Sequence, residues 1–336
     1  MVKIIMRKQL VYLGILLSVL LLCSGCNKAK EGKTQVRVAY FPNITHSQAL
    51  IMKEQGSLEK KLGADCEVSW LAFNAGPAEI EAMFAGEVDL GYIGPVPAMN
   101  AYVKSKGDIR IIANACDAGA VLLKSKDSEI SSVADLSGKK VAIPQLGNTQ
   151  HLCLLQLLKD HGLSAKSEGG TVEVVAVANA DLQGLLEQGQ IDAALPPEPW
   201  GSILEKQCDA KIVLDQEEVF MKGQYPTAVV IANYDFYKEH PDIVEAFLML
   251  HKEATLYVNQ ETDQAIEIIN RQIEAVTGKS IAPDIMKSAF QRLAVTVDIS
   301  PDAIRAFGEI GIDQGFISKL PEDELFEAAL SGNRKE

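Results

Sequence analysis

Two strand-to-helix turns of the same design follow one another within residues 73–97, and this stretch constrains the fold more than any other. In each turn an apolar segment runs into a Gly-Pro pair, Gly76-Pro77 in the first and Gly94-Pro95 in the second. Glycine lets the backbone approach closely, and proline suits the first helical turn because its missing N–H would be unpaired there. Both helices should therefore begin at the carboxyl edge of one sheet, where open α/β sheets bind their ligands. A single turn of this kind is more often ordinary α/β architecture than part of a binding site. A pair of such turns on adjacent strands is equally consistent with ordinary architecture and with a ligand-binding edge.

The first 25 residues have the pattern of an export signal. Three basic residues precede an apolar run at 10–22, which is shorter than the ~20 residues of a membrane-spanning helix. Cys26 directly follows Ser-Gly, as in a bacterial lipoprotein signal, and an ordinary secretory signal is the alternative. We expect residues 1–25 to be a lipoprotein signal peptide, Cys26 to be the lipidated residue and residues 26–35 to be a tether.

The net charge and the positions of the cysteines argue against nucleic-acid binding and against a metal or cofactor site. The net charge is −13, and it becomes −16 when the three basic residues of the signal are removed. No nucleic-acid partner is expected, because phosphate binding needs a basic surface. The remaining cysteines are scattered and have no metal-ligand spacing, so neither a metal nor a cofactor is expected. These four cysteines are Cys66, Cys116, Cys153 and Cys208. The first three lie in apolar segments and should pack as small hydrophobic residues.

The alternation of strands and helices predicts the fold class. Strands are predicted at residues 36–40, 66–73, 90–93, 109–114, 119–123, 139–144, 172–177, 191–195, 211–214 and 225–233. Helices follow most of them, and the chain after Pro241 is predicted to be helical at 241–260, 262–277, 283–294, 301–314 and 322–331. This pattern implies an α/β protein with mostly parallel sheets and right-handed crossovers.

One block of strands and helices interrupts the other, which predicts two lobes around a cleft. The chain should cross between the lobes near 119–123 and again near 225–229, and two such hinge strands favour closure around a ligand. The predicted organisation is a first lobe of residues 36–118 and 227–336 and a second lobe of residues 119–226.

The turns at the sheet edges offer polar and mostly uncharged side chains. The candidates are Asn43, Thr45, His46, Asn74, Asn148, Thr149 and Gln150. An anion could still bind, since charge-assisted hydrogen bonds contribute roughly 1.5–3 kcal/mol each and a helix end adds up to ~2 kcal/mol. No serine, cysteine or histidine stands in a catalytic signature, so no enzyme is expected.

The segment from Pro196 to Trp200 is a further candidate. Trp200 would provide a flat apolar wall. Glu198 would repel a purely anionic ligand but would pair with the amine of a zwitterionic one. Alternatively, Glu198 merely opens a helix, where carboxylates are favoured.

Taken together, five segments resemble the solute-binding proteins of nitrate, sulfonate, taurine and bicarbonate ABC transporters, most of all the aliphatic-sulfonate branch. The segments are Tyr40–His46, Phe73–Ala78, Gly91–Tyr102, Gly147–Gln150 and Pro197–Trp200. The resemblance implies a two-lobed type II periplasmic-binding-protein fold, with each lobe a sheet flanked by helices. It places ligand contacts at Asn43, Thr45, His46, Asn74, Ala75, Gly76, Gly94, Pro95, Val96, Asn148, Thr149, Gln150, Glu198 and Trp200.

The function implied is that of an extracytoplasmic solute-binding lipoprotein, anchored to the membrane through Cys26. It would capture a small anionic or zwitterionic ligand of the aliphatic-sulfonate type and deliver it to the permease subunits of an ABC importer. Nitrate, bicarbonate or a thiamine-precursor pyrimidine are alternative ligands. An enzyme that resembles the pyrimidine synthases on the same fold is a rival class, which the dispersed cysteines and the export signal disfavour.

Overall fold

The structure, a computed structural model, describes residues 32–326. The predicted export signal, Cys26 and the end of the last predicted helix lie outside these residues. No helix within the described range is both long enough and apolar enough to cross a membrane. The four cysteines of this range have free thiols, and Cys116 and Cys153 are buried among apolar side chains as predicted.

The strands and helices of residues 32–326 largely match the predicted pattern. The strands are β1 (Thr34–Tyr40), β2 (Cys66–Ala72), β3 (Leu90–Ile93), β4 (Ile109–Ala118), β5 (Leu122–Lys124), β6 (Lys140–Ile143), β7 (Glu173–Ala176), β8 (Ala193–Ala194), β9 (Lys211–Leu214), β10 (Pro226–Asn233) and β11 (Leu293–Val295). The helices are α1 (Ser47–Gln55), α2 (Ser57–Leu62), α3 (Gly76–Phe84), α4 (Pro95–Ser105), α5 (Thr149–Asp160), α6 (Leu182–Glu187), α7 (Trp200–Gln207), α8 (Gln216–Val219), α9 (Tyr234–Glu239), α10 (Pro241–Gln260), α11 (Thr262–Thr277), α12 (Pro283–Phe290) and α13 (Pro301–Asp313).

Two sheets, each flanked by helices, form the two lobes. The first lobe contains the six-stranded sheet β11-β4-β10-β3-β1-β2, and the second contains the five-stranded sheet β7-β6-β8-β5-β9. The two-lobed α/β fold is therefore as predicted, but both sheets are mixed rather than mostly parallel. The pairs β1–β3, β6–β7 and β6–β8 are parallel, whereas β4, β10 and β5 pair antiparallel with their neighbours. The reason is that the strand by which the chain enters or re-enters a lobe runs against its neighbours, β10 against β3 and β4 in the first sheet and β5 against β8 and β9 in the second.

The first sheet is buried on both faces. Alternate residues of β1 point to opposite faces, so that Val36 and Val38 pack with one apolar cluster and Ala39 with another. The first cluster includes Phe247 of α10, and the second includes Phe307 of α13. Helices therefore cover both faces of the sheet, and its carboxyl edge faces the second lobe.

The chain crosses between the sheets twice, as predicted. The first crossing is residues 119–121, between β4 and β5, and the second is residues 215–225, between β9 and β10. Ala118 and Gly119 both have left-handed backbone conformations, with φ of 57° and 77°. A sharp turn therefore separates β4 from β5. The exact lobe boundaries at 36–118, 119–226 and 227–336 stay a prediction.

The strand β11 was not predicted. The apolar pattern there was assigned to a helix at 283–294, but α12 ends at Phe290 and Leu293–Val295 pairs antiparallel with β4. The prediction was wrong because a run of three residues is too short to show strand alternation. It is also why β4 extends to Ala118, since its last residues gain a partner strand.

Candidate ligand-binding site

A small cavity lies where the carboxyl edges of the two sheets face each other. Its volume is about 20 Å³, and residues from both lobes line it. We call it the central cavity. Ten of the predicted contact residues line it, namely Asn43, Thr45, His46, Asn74, Ala75, Gly76, Gly94, Asn148, Thr149 and Gln150. The structure thus brings together loops that are separated by about a hundred residues of sequence.

Three helices begin at the central cavity, α3 at Gly76, α4 at Pro95 and α5 at Thr149. The N-cap residues of α3 and α4 provide no side-chain cap, which leaves the N–H groups of those first turns to other partners. At α5 the side chain of Asn148 accepts a hydrogen bond from the backbone N–H of His151 at 2.8 Å. The positive ends of three helix dipoles therefore converge on one cavity, and such ends bind anions. No lysine or arginine lines the cavity among the described residues.

Two polar atoms at the cavity have no hydrogen-bond partner within the described chain. They are Oγ1 of Thr149 and Oδ1 of Asn179, and both atoms are buried. A buried polar atom without a partner costs about 1–3 kcal/mol. Such atoms at the wall of a cavity are typical of a site that is completed by a ligand or by water.

His46 is a neutral hydrogen-bond donor in the cavity wall. Its Nδ1 accepts a hydrogen bond from the backbone N–H of Phe41 at 3.1 Å, and its ring stacks on that of Phe41. Burial lowers the pKa of His46 to about 3, so the ring is uncharged at neutral pH. Since Nδ1 is an acceptor, the single proton resides on Nε2. His46 therefore offers a ligand one uncharged N–H donor, at Nε2.

Three hydrogen bonds join the lobes around the cavity. Asn74 Nδ2 donates to the carbonyl of Pro144 at 3.3 Å, and the backbone N–H of Asn179 donates to Asn74 Oδ1 at 3.4 Å. Trp200 Nε1 donates to Asn43 Oδ1 at 2.7 Å. The cleft is therefore closed in this structure, with Asn74 in contact with two loops of the second lobe.

Four predicted contact residues do not line the cavity. Pro95 and Val96 are buried in the first turn of α4, where Val96 packs in the core. Trp200 touches the cavity only indirectly, through its hydrogen bond to Asn43, and its ring lines a neighbouring groove. Glu198 lies at the chain crossing instead.

The carboxylate of Glu198 is fully buried and is occupied by protein partners. It accepts hydrogen bonds from the backbone N–H and hydroxyl of Ser202, at 2.9 and 3.1 Å, and from Arg292 Nη1 at 2.9 Å. Burial raises the pKa of Glu198, while Arg292 and Ser202 oppose that effect. The backbone N–H of Glu198 donates to the carbonyl of Gly119 at 2.7 Å, which places the residue at the first crossing.

His151, the residue after Gly-Asn-Thr-Gln, supports the loop and does not line the cavity. Its Nδ1 accepts a hydrogen bond from the backbone N–H of Gly147 at 3.0 Å, and its ring packs edge-on against Phe316. Burial lowers the pKa of His151 to about 4, so it brings no charge to the site at neutral pH.

Sequence reasoning missed several residues of the cavity wall, namely Phe41, Pro97, Pro144, Asn179, Pro197 and Thr227. Asn179 could have been found, because it also stands between a strand and a helix, at the start of the 3₁₀ turn Asn179–Asp181 after β7. Thr227 gave no such signal, since it lies inside β10, where its hydroxyl donates to the carbonyl of Ala118.

Two lobes joined by two crossings, with a closed cleft lined by helix N-termini and polar side chains, define a solute-binding protein. Within residues 32–326 no cluster of histidine, cysteine or acidic residues is placed to hold a metal ion. Residues 29–272 match the profile of the NMT1-like family, and the chain belongs to that family.

Relatives and solved structures agree with this assignment. The chain is 30% identical over 213 residues to the taurine-binding periplasmic protein of Escherichia coli, a match that covers 63% of this chain and 62% of that protein. It is 27% identical over 271 residues to a putative aliphatic sulfonates-binding protein of Bacillus subtilis, covering 78% of this chain and 77% of that one.

Among solved structures, the alkanesulfonate-binding protein of Xanthomonas axonopodis pv. citri, bound to MOPS, has a TM-score of 0.71 at 21% identity, covering 89% of this chain and 98% of that one. The periplasmic nitrate-binding protein of Synechocystis has a TM-score of 0.65 at 13% identity, covering 85% and 82%. These likenesses show the fold, and the predicted family resemblance is confirmed. The relatives in sequence are binding proteins, and this chain is a binding protein rather than an enzyme.

Proposed function

We propose that the protein captures a small organic sulfonate in the central cavity as the solute-binding component of an ABC importer. The observation that carries the proposal is the convergence of three helix N-termini on a cavity that, among residues 32–326, is lined by uncharged donors and by no lysine or arginine. A sulfonate is a permanent monoanion that only accepts hydrogen bonds, so it suits backbone N–H groups, the Thr149 hydroxyl and the neutral N–H of His46. The names of the relatives in sequence, which bind taurine and aliphatic sulfonates, support the same class of ligand.

The contacts we propose for the sulfonate oxygens come from both lobes. The first lobe provides Asn43, Thr45, His46 and the first turns of α3 and α4, and the second provides Asn148, Thr149 and Gln150. A cavity of about 20 Å³ holds about one water molecule. A sulfonate needs more room, so the lobes must separate to admit it and then close on it less tightly than they do here.

Nitrate or bicarbonate is a second candidate, favoured by the small volume of the cavity. A flat heterocycle such as a pyrimidine is favoured less, because the Trp200 ring does not line the cavity.

A series of thermal-shift measurements on the protein tests these candidate ligands. Taurine, ethanesulfonate, nitrate, bicarbonate and a thiamine-precursor pyrimidine are compared at equal concentration. A ligand at 100 times its Kd stabilises the folded state by about 2.7 kcal/mol, which raises Tm measurably. We expect the two sulfonates to raise Tm. A rise with nitrate or bicarbonate and none with either sulfonate would contradict the proposal.

The lipid anchor and the permease are the remaining parts of the proposal. The predicted export signal, which ends at residue 25 directly before Cys26, supports a lipoprotein on the extracytoplasmic face of the cell membrane. Stable attachment needs more than one acyl chain, at ~0.8 kcal/mol per buried CH₂. Cys26→Ser should release the protein from the membrane fraction, and equal membrane recovery of both forms would refute the anchor. Delivery to permease subunits is tested by ligand-dependent stimulation of the importer's ATPase in proteoliposomes.

A further inference from the structure

The side-chain amide of Asn43 has a fixed orientation in the wall of the central cavity. Trp200 Nε1 lies 2.7 Å from Asn43 Oδ1. An indole N–H can only donate a hydrogen bond, so the amide atom that faces it must be the oxygen. The nitrogen of the same amide, Nδ2, makes no hydrogen bond within residues 32–326, and its two protons are available to a ligand.

The amide of Gln150 is oriented in the same sense from the second lobe. The backbone N–H of His151 donates to Asn148 Oδ1 at 2.8 Å, and a backbone N–H cannot accept. The other end of the Asn148 amide is therefore its NH₂ group, which donates to Gln150 Oε1 at 2.9 Å. Gln150 Nε2 is left without a hydrogen bond to the described residues, and its protons are also available to a ligand.

The other amides of the cavity wall do not oppose this polarity. Asn74 is engaged at both ends, since Nδ2 donates to the carbonyl of Pro144 and Oδ1 accepts from the N–H of Asn179. Oδ1 of Asn179 and Oγ1 of Thr149 are buried without a partner in the described chain. An unfixed amide can turn and a hydroxyl can both donate and accept, so these two groups adapt to a ligand. The groups whose orientation is fixed therefore present donors.

Closure of the lobes completes this set of donors. Trp200 belongs to the second lobe and Asn43 to the first, so their hydrogen bond forms only when the cleft is closed. The Trp200 ring is 8% exposed and packs with the apolar cluster of the first lobe. When the lobes separate, the indole leaves Asn43, and the amide is free to turn its oxygen or its nitrogen toward the cavity.

From this geometry we infer that Trp200 and Asn148 are positioning residues, which hold the amides of Asn43 and Gln150 as hydrogen-bond donors toward the ligand. The inference rests on the proposed sulfonate function and narrows its ligand class to oxyanions whose oxygens are all deprotonated. An oxyanion of equal size and charge that carries an O–H brings a donor to a wall of fixed donors. It loses a hydrogen bond there and binds more weakly.

Two probes of equal charge isolate the O–H group. Ethanesulfonate and the monoanion of ethylphosphonate have the same alkyl chain, a tetrahedral head and one negative charge, but only the phosphonate carries an O–H. Calorimetry at about pH 5.5 keeps the phosphonate in this form. His46 and His151, with pKa values of about 3 and about 4, stay uncharged there. We expect ethanesulfonate to bind about tenfold more tightly than ethylphosphonate.

The first variant, Trp200→Phe, keeps an aromatic ring between the lobes and removes the N–H. The Asn43 amide can then turn its oxygen toward the phosphonate O–H, so the preference for ethanesulfonate should fall about fivefold. Impaired closure alone would weaken both probes by the same factor and leave the preference unchanged. The matched control is Trp70→Phe, which removes an indole N–H bonded to Glu59 at 2.9 Å, outside the cavity wall. Its preference should equal that of the wild type.

Two variants of unchanged side-chain shape, Asn43→Asp and Gln150→Glu, test the orientation without altering Trp200. In each, the fixed oxygen keeps its donor and a second oxygen replaces the NH₂ group that we place toward the ligand. The added negative charge weakens the binding of both monoanions, but only ethylphosphonate can donate to the new oxygen, so the preference should reverse. Gln145→Glu adds the same charge in the loop before Asn148, at a residue that does not line the cavity, and should keep the wild-type preference.

The outcomes separate this inference from the function on which it rests. If the wild type binds both probes equally, or if Trp200→Phe weakens both by one factor, the fixed donors are refuted and sulfonate binding stands. The same holds if the preference survives in both Asn43→Asp and Gln150→Glu, or if Trp70→Phe lowers it as much as Trp200→Phe does. If neither probe binds to the wild-type protein, both proposals fall.

Discussion

The guanidinium group of Arg292 lies 2.9 Å from the fully buried carboxylate of Glu198 and joins the two lobes at the chain crossing. Arg292 directly precedes β11 of the first sheet, and Glu198 lies between β8 and α7 of the second lobe. The second nitrogen of Arg292 reaches Glu205 of α7 at 2.6 Å. A single arginine therefore pairs with two carboxylates of the opposite lobe, beside the hinge rather than at the ligand.

Removal of this arginine should destabilise the fold strongly. Arg292→Met leaves the buried Glu198 carboxylate without its cationic partner, and breaking a buried pair in this way costs about 3–5 kcal/mol. Urea denaturation should show the loss. The control is Arg305→Met, which removes solvent-exposed contacts to Asp302 and Asp323 and should destabilise the fold far less. Equal losses in the two variants would refute the structural role of Arg292.

Glu198→Gln should not discriminate between ligands. Because the Glu198 side chain faces Ser202 and Arg292, taurine and ethanesulfonate should respond alike when their affinities are measured by calorimetry. Stability is expected to fall, since the charge of Arg292 loses a partner. A loss of affinity confined to taurine would show instead that Glu198 reaches the amine.

The buried side chain of Glu79 is expected to lower the stability of the folded protein at neutral pH. It lies in the first turn of α3, is fully buried, and neither of its carboxyl oxygens has a hydrogen-bond partner in the described chain. Burial raises the pKa of Glu79 well above 4.5, so the folded protein holds a proton there that the unfolded chain releases. The contribution of Glu79 to stability is therefore most favourable below about pH 4.5 and becomes less favourable as pH rises toward the folded pKa.

Glu79→Met should raise the free energy of unfolding at pH 7 by about 1–3 kcal/mol, because a buried unpaired polar group is replaced by a flexible apolar one. It should also remove the fall in stability with rising pH. Glu81→Met, at an exposed position of the same helix, is the control and should change neither quantity. A destabilised Glu79→Met protein would mean that the carboxyl has a partner in solution.

The sequence predicted the parts of this molecule that depend on local pattern. The strand-to-helix turns at Gly76 and Gly94 were found because glycine and proline report directly on backbone conformation, and each lies where predicted. The fold followed from the order of strands and helices. The antiparallel pairing of β4 and β10 did not, because strand direction is set by contacts between distant segments.

Glu198 shows more clearly what could not be predicted from the sequence. Its neighbours Pro197 and Trp200 suggested a ligand wall, but its partner Arg292 stands 94 residues away and carries no local signal that it pairs with the motif. Similarly, Trp200 Nε1 is occupied by Asn43 Oδ1 and is not available to a ligand. Local pattern identifies which side chains reach the cleft, whereas tertiary contacts decide which of them are already occupied.

Stability should fall as the pH is lowered from 6.5, through buried histidines. His251 is fully buried, accepts a hydrogen bond from the Tyr92 hydroxyl at 2.7 Å and donates to the carbonyl of Asn114 at 2.8 Å. Burial lowers the pKa of His251 to about 4, so between pH 6.5 and 4 the unfolded chain binds a proton that the folded protein refuses. The contribution of His251 to stability is thus full above pH 6.5 and is lost as pH falls toward 4. His251→Gln should flatten this slope in urea titrations at several pH values, and an unchanged slope would refute the assignment.

The contact between Gly94 and Thr149 should control closure of the lobes. Gly94 belongs to the first lobe and Thr149 to the second, and a Cβ added to Gly94 would lie 2.2 Å from Thr149 Oγ1. Gly94→Ala therefore places a methyl group in the space that the closed cleft and the ligand both need. We expect the affinity for the proposed sulfonate to fall by about tenfold or more, with little change in Tm, because the added methyl meets the opposite lobe rather than the core of its own.

The control and the rescue both follow from the same geometry. Gly184→Ala in α6 adds a Cβ whose nearest neighbour is Gln188 Nε2 at 3.8 Å, an ordinary contact, and affinity should stay at the wild-type value. In the double variant Gly94→Ala, Thr149→Ala, the clashing oxygen is gone, and small-angle scattering with ligand should again show the compact form. Affinity should recover only in part, since the Thr149 hydroxyl is also lost as a donor. If Gly94→Ala alone closes and binds as wild type does, the lobes do not approach each other at this pair in solution.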